Sequence, residues 1–232
     1  MNLSKYINAS LTNDSLNNDS LTNDSSVTER LHISNDTKST KLRPKTKDEL
    51  RSIIEQELER QGPDADLNNI DTSWITDMSG LFEDLNIKNI KIDKWDVSSV
   101  TDMSQMFTHC KKFNCDLSGW DVSNVRDMYG VFGECHEFNS DLSKWHTSKV
   151  TDMNDMFFGC EKFNSDLSGW DVSSVTDMSG MFYNCASFKC DLSGWDVSKV
   201  KNHSSMFKYC PNMIKNWGLQ PDLEEEIDSF VY

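Results

Sequence analysis

The sequence predicts an α/β solenoid in which about six repeats of 25 residues each supply one short helical turn and one short strand. Two observations support this prediction. Residues of the same type return at intervals of 25 without insertions, and the hydrophobic pattern within each interval changes from helix-like to strand-like. The clearest columns are tryptophan and cysteine, which we expect to form buried structural ladders. Their members are Trp95, Trp120, Trp145, Trp170, Trp195, Cys110, Cys135, Cys160, Cys185 and Cys210.

The helix-like part of a repeat is illustrated by VSSVTDMSQMF, which begins at Val97 and recurs with small changes in later repeats. Thr101 or Asp102 can cap a helical turn here through a side-chain oxygen. The apolar residues that follow have the i, i+3, i+4, i+7 spacing of one helix face. They are Met103, Met106, Phe107 and Cys110.

The strand-like part follows, as in residues 113–117, where apolar or small residues alternate with polar ones. Ser118 and Gly119 then turn the chain. Because the polar side chains of a half-buried strand point outward, their column over successive repeats is the candidate binding surface. We call it the Asn/Asp face; it consists of Asn114, Asp116, Asn139, Asp141, Asn164, Asp166, Lys189 and Asp191.

The segments on either side of the repeats differ in composition. Residues 1–43 are rich in Asn, Asp, Ser and Thr and predict a disordered tail. Residues 44–63 predict an N-terminal capping helix, with a capping-box pair at its start and Gly-Pro at its end. The repeats then occupy residues 64–218, and an acidic C-terminal cap is expected at residues 219–232.

The repeated motif FNxDLSxWDVSxVTDMSxMFxxC resembles the BspA-like leucine-rich repeats. These include the 25/26-residue repeats of mycoplasma lipoproteins and listerial surface proteins. The resemblance covers about residues 46–217 and some ten positions in each of six copies. It implies a leucine-rich-repeat-like right-handed coil with a parallel sheet on one face and short helical turns on the other. It also implies membership of a family associated with surface adhesion and protein recognition.

Charge and composition exclude several classes of function. The chain has 38 acidic and 23 basic residues, a net charge of −15 that opposes binding to phosphate backbones. No stretch approaches the roughly 20 consecutive apolar residues of a membrane-spanning helix. We find no signal peptide, lipidation cysteine or C-terminal anchor, so an intracellular location is expected rather than the cell surface.

The seven cysteines do not predict a metal site. A straight column cannot bring four ligands together tetrahedrally, so buried reduced thiols are favoured over metal ligands and over disulfides between repeats. Three columns of aspartate are also present. Two have local explanations: an Asx turn for the column that follows tryptophan, which His146 interrupts, and a helix N-cap for the column that precedes methionine. The third, which lies on the Asn/Asp face, has no such explanation, so calcium binding remains an alternative.

No catalytic constellation is apparent. The histidines form no column and have no evident nucleophile partner, and we expect no cofactor. The sequence therefore predicts a non-enzymatic protein-interaction scaffold whose Asn/Asp face binds a protein, with its acidity favouring a basic partner. The alternative is a surface-exposed adhesin of the BspA-like type, stabilised by calcium in one form of this hypothesis.

Overall fold

A computed structural model describes residues 41–213 of the chain. The predicted C-terminal cap lies outside these residues, and so does the predicted disordered tail apart from residues 41–43. The description below concerns the described segment alone.

The segment begins with helix α1, Lys47–Gln61, in the place where the sequence predicts a helix. The side chain of Thr46 accepts a hydrogen bond from the backbone N–H of Glu49 and caps the first turn. Gly62 ends the helix with a φ of 84°, a left-handed conformation that glycine adopts without steric cost. Leu50 and Ile54 are fully buried, so α1 packs one face against the repeats.

After α1 the chain forms a stack of 25-residue units. Each unit lies against the next in a constant register of 25 residues, and isolated parallel bridges mark this register. One series of bridges connects Asp77, Asp102, Asp127, Asp152, Asp177 and Asn202 in succession. Every unit therefore places its equivalent residues in line with those of its neighbours.

The predicted fold class is wrong. In residues 41–213, α1 is the only α-helix, and the parallel pairing consists of isolated bridges rather than strands. An α/β solenoid with a parallel sheet and a helical turn in each repeat, as a leucine-rich-repeat-like coil would have, does not describe this structure. The periodicity is real, but turns and loops rather than helices and strands occupy each unit.

The helical turn fails to form because alternate backbone N–H groups have different destinations. In residues 103–109, the N–H of every second residue donates to the next unit over 2.6 to 3.0 Å, as from Phe107 to Val131 O. Among the N–H groups between them, those of Met106 and Thr108 donate to the carbonyl three residues back, and that of Ser104 donates to Asp102 Oδ1. Gln105 and His109 have φ of 55° and 64°, and such left-handed residues interrupt a right-handed helix.

The sheet fails to form because side chains take the place of backbone acceptors. The N–H of Asn139 donates to Asn114 Oδ1 at 3.0 Å, and the N–H of Leu117 donates to Ser140 Oγ at 3.1 Å. In a parallel sheet these N–H groups would donate to carbonyls of the neighbouring strand. The segment keeps the alternation of buried and exposed residues that resembles a strand, but it has no continuous backbone ladder.

Aromatic rings fill the interior. One column has ring centroids 5.1 to 5.7 Å apart and consists of Phe82, Phe107, Phe132, Phe157, Phe182 and Phe207. A second column has spacings of 5.7 to 5.8 Å and consists of Phe113, Phe138, Phe163 and Phe188. Within a unit, the rings of the two columns stack 4.0 to 4.2 Å apart. The two columns together form a continuous apolar core.

Replacing Phe132 with alanine should lower the free energy of unfolding by about 3–5 kcal/mol, because the ring is fully buried between rings of both neighbouring units. Urea-induced unfolding followed by tryptophan fluorescence would measure the loss. The matched control is Phe158→Ala, which removes the same ring from a half-buried surface position and should cost less than about 1.5 kcal/mol. Equal losses for the two variants would contradict the assignment of the core.

Candidate binding groove

An open groove of about 580 Å³ lies on the surface where the chain departs from its own repeat. Gly133 occupies a position at which the neighbouring units carry Thr108 and Phe158. The missing side chain leaves a hollow between these two residues, and all three line the groove. Thr108 does not fill it, because its hydroxyl is bonded to the carbonyl of Gly130 at 2.7 Å.

The two glycines of the groove have different structural roles. Gly130 has a φ of 58°, and the equivalent residues of other units are also left-handed, so the backbone favours glycine there. Gly133 is not left-handed, and an added Cβ would lie 3.4 Å from its nearest neighbour, Gly130 O, which is an ordinary contact. The backbone therefore does not require glycine at position 133, and its small size keeps the groove open.

Asp155 lines the groove, and its carboxylate lies against Gly180 of the next unit. Its carboxylate is half-buried and has neither a hydrogen bond nor an ion pair among the described residues. Desolvation raises the pKa of Asp155, and the negative charges of Asp177 and Asp152 raise it further. An ionised carboxylate with no positively charged or hydrogen-bonding partner lowers the stability of the folded protein. Such groups are typical of functional sites, where binding or catalysis makes use of them.

A column of ionisable residues forms another side of the groove. Asp84, His109 and Glu134 are equivalent residues of successive units, and all three have left-handed φ of 60 to 64°. His109 Nδ1 lies 2.9 Å from Asp84 Oδ1, and His136 Nε2 lies 2.9 Å from Glu134 Oε2. With Asp155 the groove has three carboxylates, against one ammonium group from Lys111. Its electrostatic character is therefore acidic.

Aromatic side chains continue from the groove along the same surface. The rings of Phe158 and Tyr183 stack with centroids 4.6 Å apart, and Tyr209 meets Tyr183 edge-on at 5.2 Å. Tyr129 lines the groove and is 37% exposed. Carboxylates beside exposed aromatic faces are the combination that attracts organic cations.

The structure does not bring the Asn/Asp face to this groove. Its eight residues are exposed or half-exposed and lie in line on the surface, but none of them lines the groove. The amides of this face connect neighbouring units: Asn114 Oδ1 accepts from the N–H of Asn139, and Asn164 Oδ1 accepts from the N–H of Lys189.

The aspartates of the Asn/Asp face have local partners that the residue pattern alone did not predict. Each accepts a hydrogen bond from the backbone N–H two residues later, at 2.9 to 3.0 Å, in an Asx turn. The hydroxyl and N–H of Ser168 lower the pKa of Asp166 in this way. The column before methionine also forms Asx turns, as from Ser104 N–H to Asp102, rather than helix N-caps. The predicted Asx turns after tryptophan are present, as from Ser123 N–H to Asp121.

The tryptophan and cysteine columns are buried. Each indole N–H donates to a leucine or isoleucine carbonyl 28 residues earlier, at 3.0 to 3.1 Å. Each thiol of the cysteine column donates to a phenylalanine carbonyl, also 28 residues earlier. The seven cysteines are free, and desolvation raises the pKa of Cys110 to about 12. These thiols are therefore hydrogen-bonding groups of the interior.

Residues 52–148 and 116–220 match the family described as "Mycoplasma protein of unknown function, DUF285". The two overlapping matches span most of the chain. The chain belongs to this family. The DUF285 match supports the mycoplasma-type repeat that the motif indicated. No curated protein and no solved structure matched the chain in the corresponding searches. Within residues 41–213, no helix is both long and apolar enough to cross a membrane.

Replacing Asp155 with asparagine should raise the free energy of unfolding at neutral pH. The raised pKa means that the folded chain binds this proton more tightly than the unfolded chain, so the stability that Asp155 contributes is present at acid pH and is lost as pH rises through the folded pKa. The gain should be about 0.5 kcal/mol or less, because solvent screens the half-exposed carboxylate. It should vanish below the ordinary aspartate pKa of about 3.9.

Asp166→Asn is the matched control, and its effect on the free energy of unfolding should have the opposite sign, because the folded pKa of Asp166 is lowered. The stability that ionised Asp166 contributes is present above the unfolded pKa and is lost as pH falls through the folded pKa. This substitution should therefore destabilise the chain at neutral pH. Urea titrations at several pH values would measure both variants. A destabilising effect of Asp155→Asn at neutral pH would contradict the account of the groove.

Proposed function

We propose that this DUF285 chain is a non-enzymatic interaction protein that binds a basic protein partner, and that the groove receives a lysine or arginine side chain of that partner. The uncompensated carboxylate of Asp155 is the observation that carries the proposal. A bound cation would supply the missing counter-charge, so a group that costs stability in the free protein would contribute affinity in the complex.

The charge around Asp155 supports a cationic ligand. Asp84 and Glu134 add carboxylates to the groove, and the whole chain has a net charge of −15. A field of one sign over a whole protein accelerates the approach of an oppositely charged partner and makes the rate depend on salt. The Asn/Asp face, which the sequence indicated as a recognition surface, would extend the same acidic field.

The aromatic residues support a side chain with an apolar stem. Lysine and arginine carry three or four methylene or equivalent apolar groups below the charged head. Phe158 and Tyr129 offer ring surface for such a stem, and the hollow above Gly133 leaves room for it. The charged head would then lie near Asp155.

Affinity purification from the native cell, followed by mass spectrometry, tests the proposal. The wild-type chain should retain a basic protein at low salt and release it at about 1 M salt, where the Debye length falls to about 3 Å. Asp155→Asn should reduce the retained amount several-fold. Asp166→Asn removes one negative charge from the Asn/Asp face of the same repeat and should have little effect on the retained amount. It therefore distinguishes binding in the groove from attraction by the overall negative charge.

Two outcomes would contradict the groove proposal. One is a partner that remains bound at high salt, which would indicate an apolar rather than an electrostatic interface. The other is an equal loss of binding in Asp155→Asn and Asp166→Asn, which would assign recognition to the acidic surface as a whole. Gly133→Ala adds an independent check, since it narrows the groove without a change in charge.

The second candidate function is a surface-exposed adhesin of the BspA-like type, in one form stabilised by calcium. The likeness of the repeated motif to BspA-like repeats supports it, and this is a finer relation than the DUF285 match. Protease treatment of intact cells tests it, since an adhesin should release repeat peptides. Cells that release none would exclude this candidate.

A further inference from the structure

We propose that Glu83, Asp84 and His109 form a binding site for a divalent transition-metal ion, with Zn²⁺ as the ion that suits these ligands. The inference does not depend on the proposed partner. It concerns one end of the groove, where Asp84 and His109 lie beside the turn that contacts α1.

The three side chains already converge. One ligand atom from each lies within 4.8 Å of the other two. His109 Nδ1 and Asp84 Oδ1 are 2.9 Å apart. Ligand atoms around a tetrahedral Zn²⁺ with bonds of about 2.0–2.1 Å are separated by roughly 3.3 Å, so His109 Nδ1 and Asp84 Oδ1 need move apart by only a few tenths of an ångström to admit the ion.

The backbone holds the ligands in this arrangement. Asp84 and His109 are equivalent residues of neighbouring units, and both are left-handed, so their side chains leave the stack in the same direction. The N–H of Asp84 donates to Thr108 O at 3.0 Å and keeps the two units in register. Glu83 adjoins Asp84 in the chain, so two ligands come from one turn and the third from the next unit.

Arg51 of α1 supports the turn that carries Glu83. Its guanidinium donates to the carbonyls of Leu81 and Glu83 at 3.0 and 3.3 Å. Its charge, which would oppose a bound cation, is partly compensated by Glu55 at 2.6 Å. Bonds from outside the ligand set that fix the ligands are typical of metal sites.

The donor set determines which ions it can bind. One imidazole nitrogen with two carboxylates suits Zn²⁺ and its transition-metal neighbours better than Ca²⁺ or Mg²⁺, which prefer oxygen ligands alone. Three protein ligands leave the fourth position to water, and the exposed side chains leave that position accessible. Cys110 does not compete as a ligand, because its buried thiol is bonded to Phe82 O.

Isothermal titration of the full chain with ZnCl₂ alone tests the site. The wild-type chain should bind one ion, and Glu83→Gln and His109→Ala should each weaken binding by about tenfold or more. His136→Ala is the matched control: this histidine also lies beside carboxylates, Glu134 and Glu161, but belongs to no three-ligand group among the described residues. It should leave Zn²⁺ affinity unchanged.

Visible absorption with Co²⁺ as the probe provides a second readout, since ligation by His109 should give bands that His109→Ala removes. Circular dichroism establishes that each variant is folded, and Glu83→Gln preserves the shape of the side chain. The proposal is overturned if the wild-type chain binds no Zn²⁺, if both ligand variants bind it as tightly as wild type, or if His136→Ala weakens binding to the same extent.

Discussion

The alternating destination of backbone N–H groups is the constraint on which the rest of the structure depends. In residues 103–109, one N–H bonds to the next unit and the following one bonds back within its own unit. This alternation fixes the register of 25 residues, and the register in turn aligns the phenylalanine, tryptophan and cysteine columns. It also requires left-handed residues at two places in each unit, which project side chains such as Asp84 and His109 from the stack.

Side-chain hydrogen bonds complete what the backbone leaves unpaired. Thiols and indoles of each unit donate to carbonyls of the preceding one, and asparagine amides and serine hydroxyls accept from backbone N–H groups. Buried polar groups without partners would cost several kcal/mol each, so these side chains are as necessary to the stack as its apolar residues. Their chemistry explains why the repeat conserves cysteine, serine and asparagine from unit to unit within this one chain.

Much of the organisation could be predicted from the sequence, but its local geometry could not. Periodicity revealed the 25-residue unit, and capping residues revealed α1. The pattern at Met103, Met106, Phe107 and Cys110 suggested a helix because it records only which residues are buried, and a row of tight turns buries the same positions. Helix and turn differ in the partner of each N–H group, and a hydrophobic pattern carries no information about that partner.

The groove could not be predicted from the sequence, for a related reason. Regular columns such as the Asn/Asp face indicated a binding surface. The space of the groove comes instead from the absent side chain at Gly133, and part of its charge comes from the unpaired carboxylate of Asp155. The glycine at 133 was visible as a departure from the repeat, whereas Gly130 shares its column with Gly80 and Gly180. Whether a glycine opens a cavity depends on the path of the backbone, because a glycine can also serve a turn. Asp155 stands in a column where other units carry glycine, glutamine or serine, so the residue pattern shows an isolated aspartate but not that its carboxylate lacks a partner.

Residue-resolved amide hydrogen exchange by NMR tests the central claim, the alternating backbone ladder, most directly. The N–H groups of Gln105 and Phe107, which bond to the next unit, should be protected as strongly as those of Met106 and Thr108, which bond within their own unit. Both sets should exchange only through opening of the stack. Rapid exchange at Gln105 and Phe107 alongside protected Met106 and Thr108 would contradict the account, because the units would then be held together by their side chains alone.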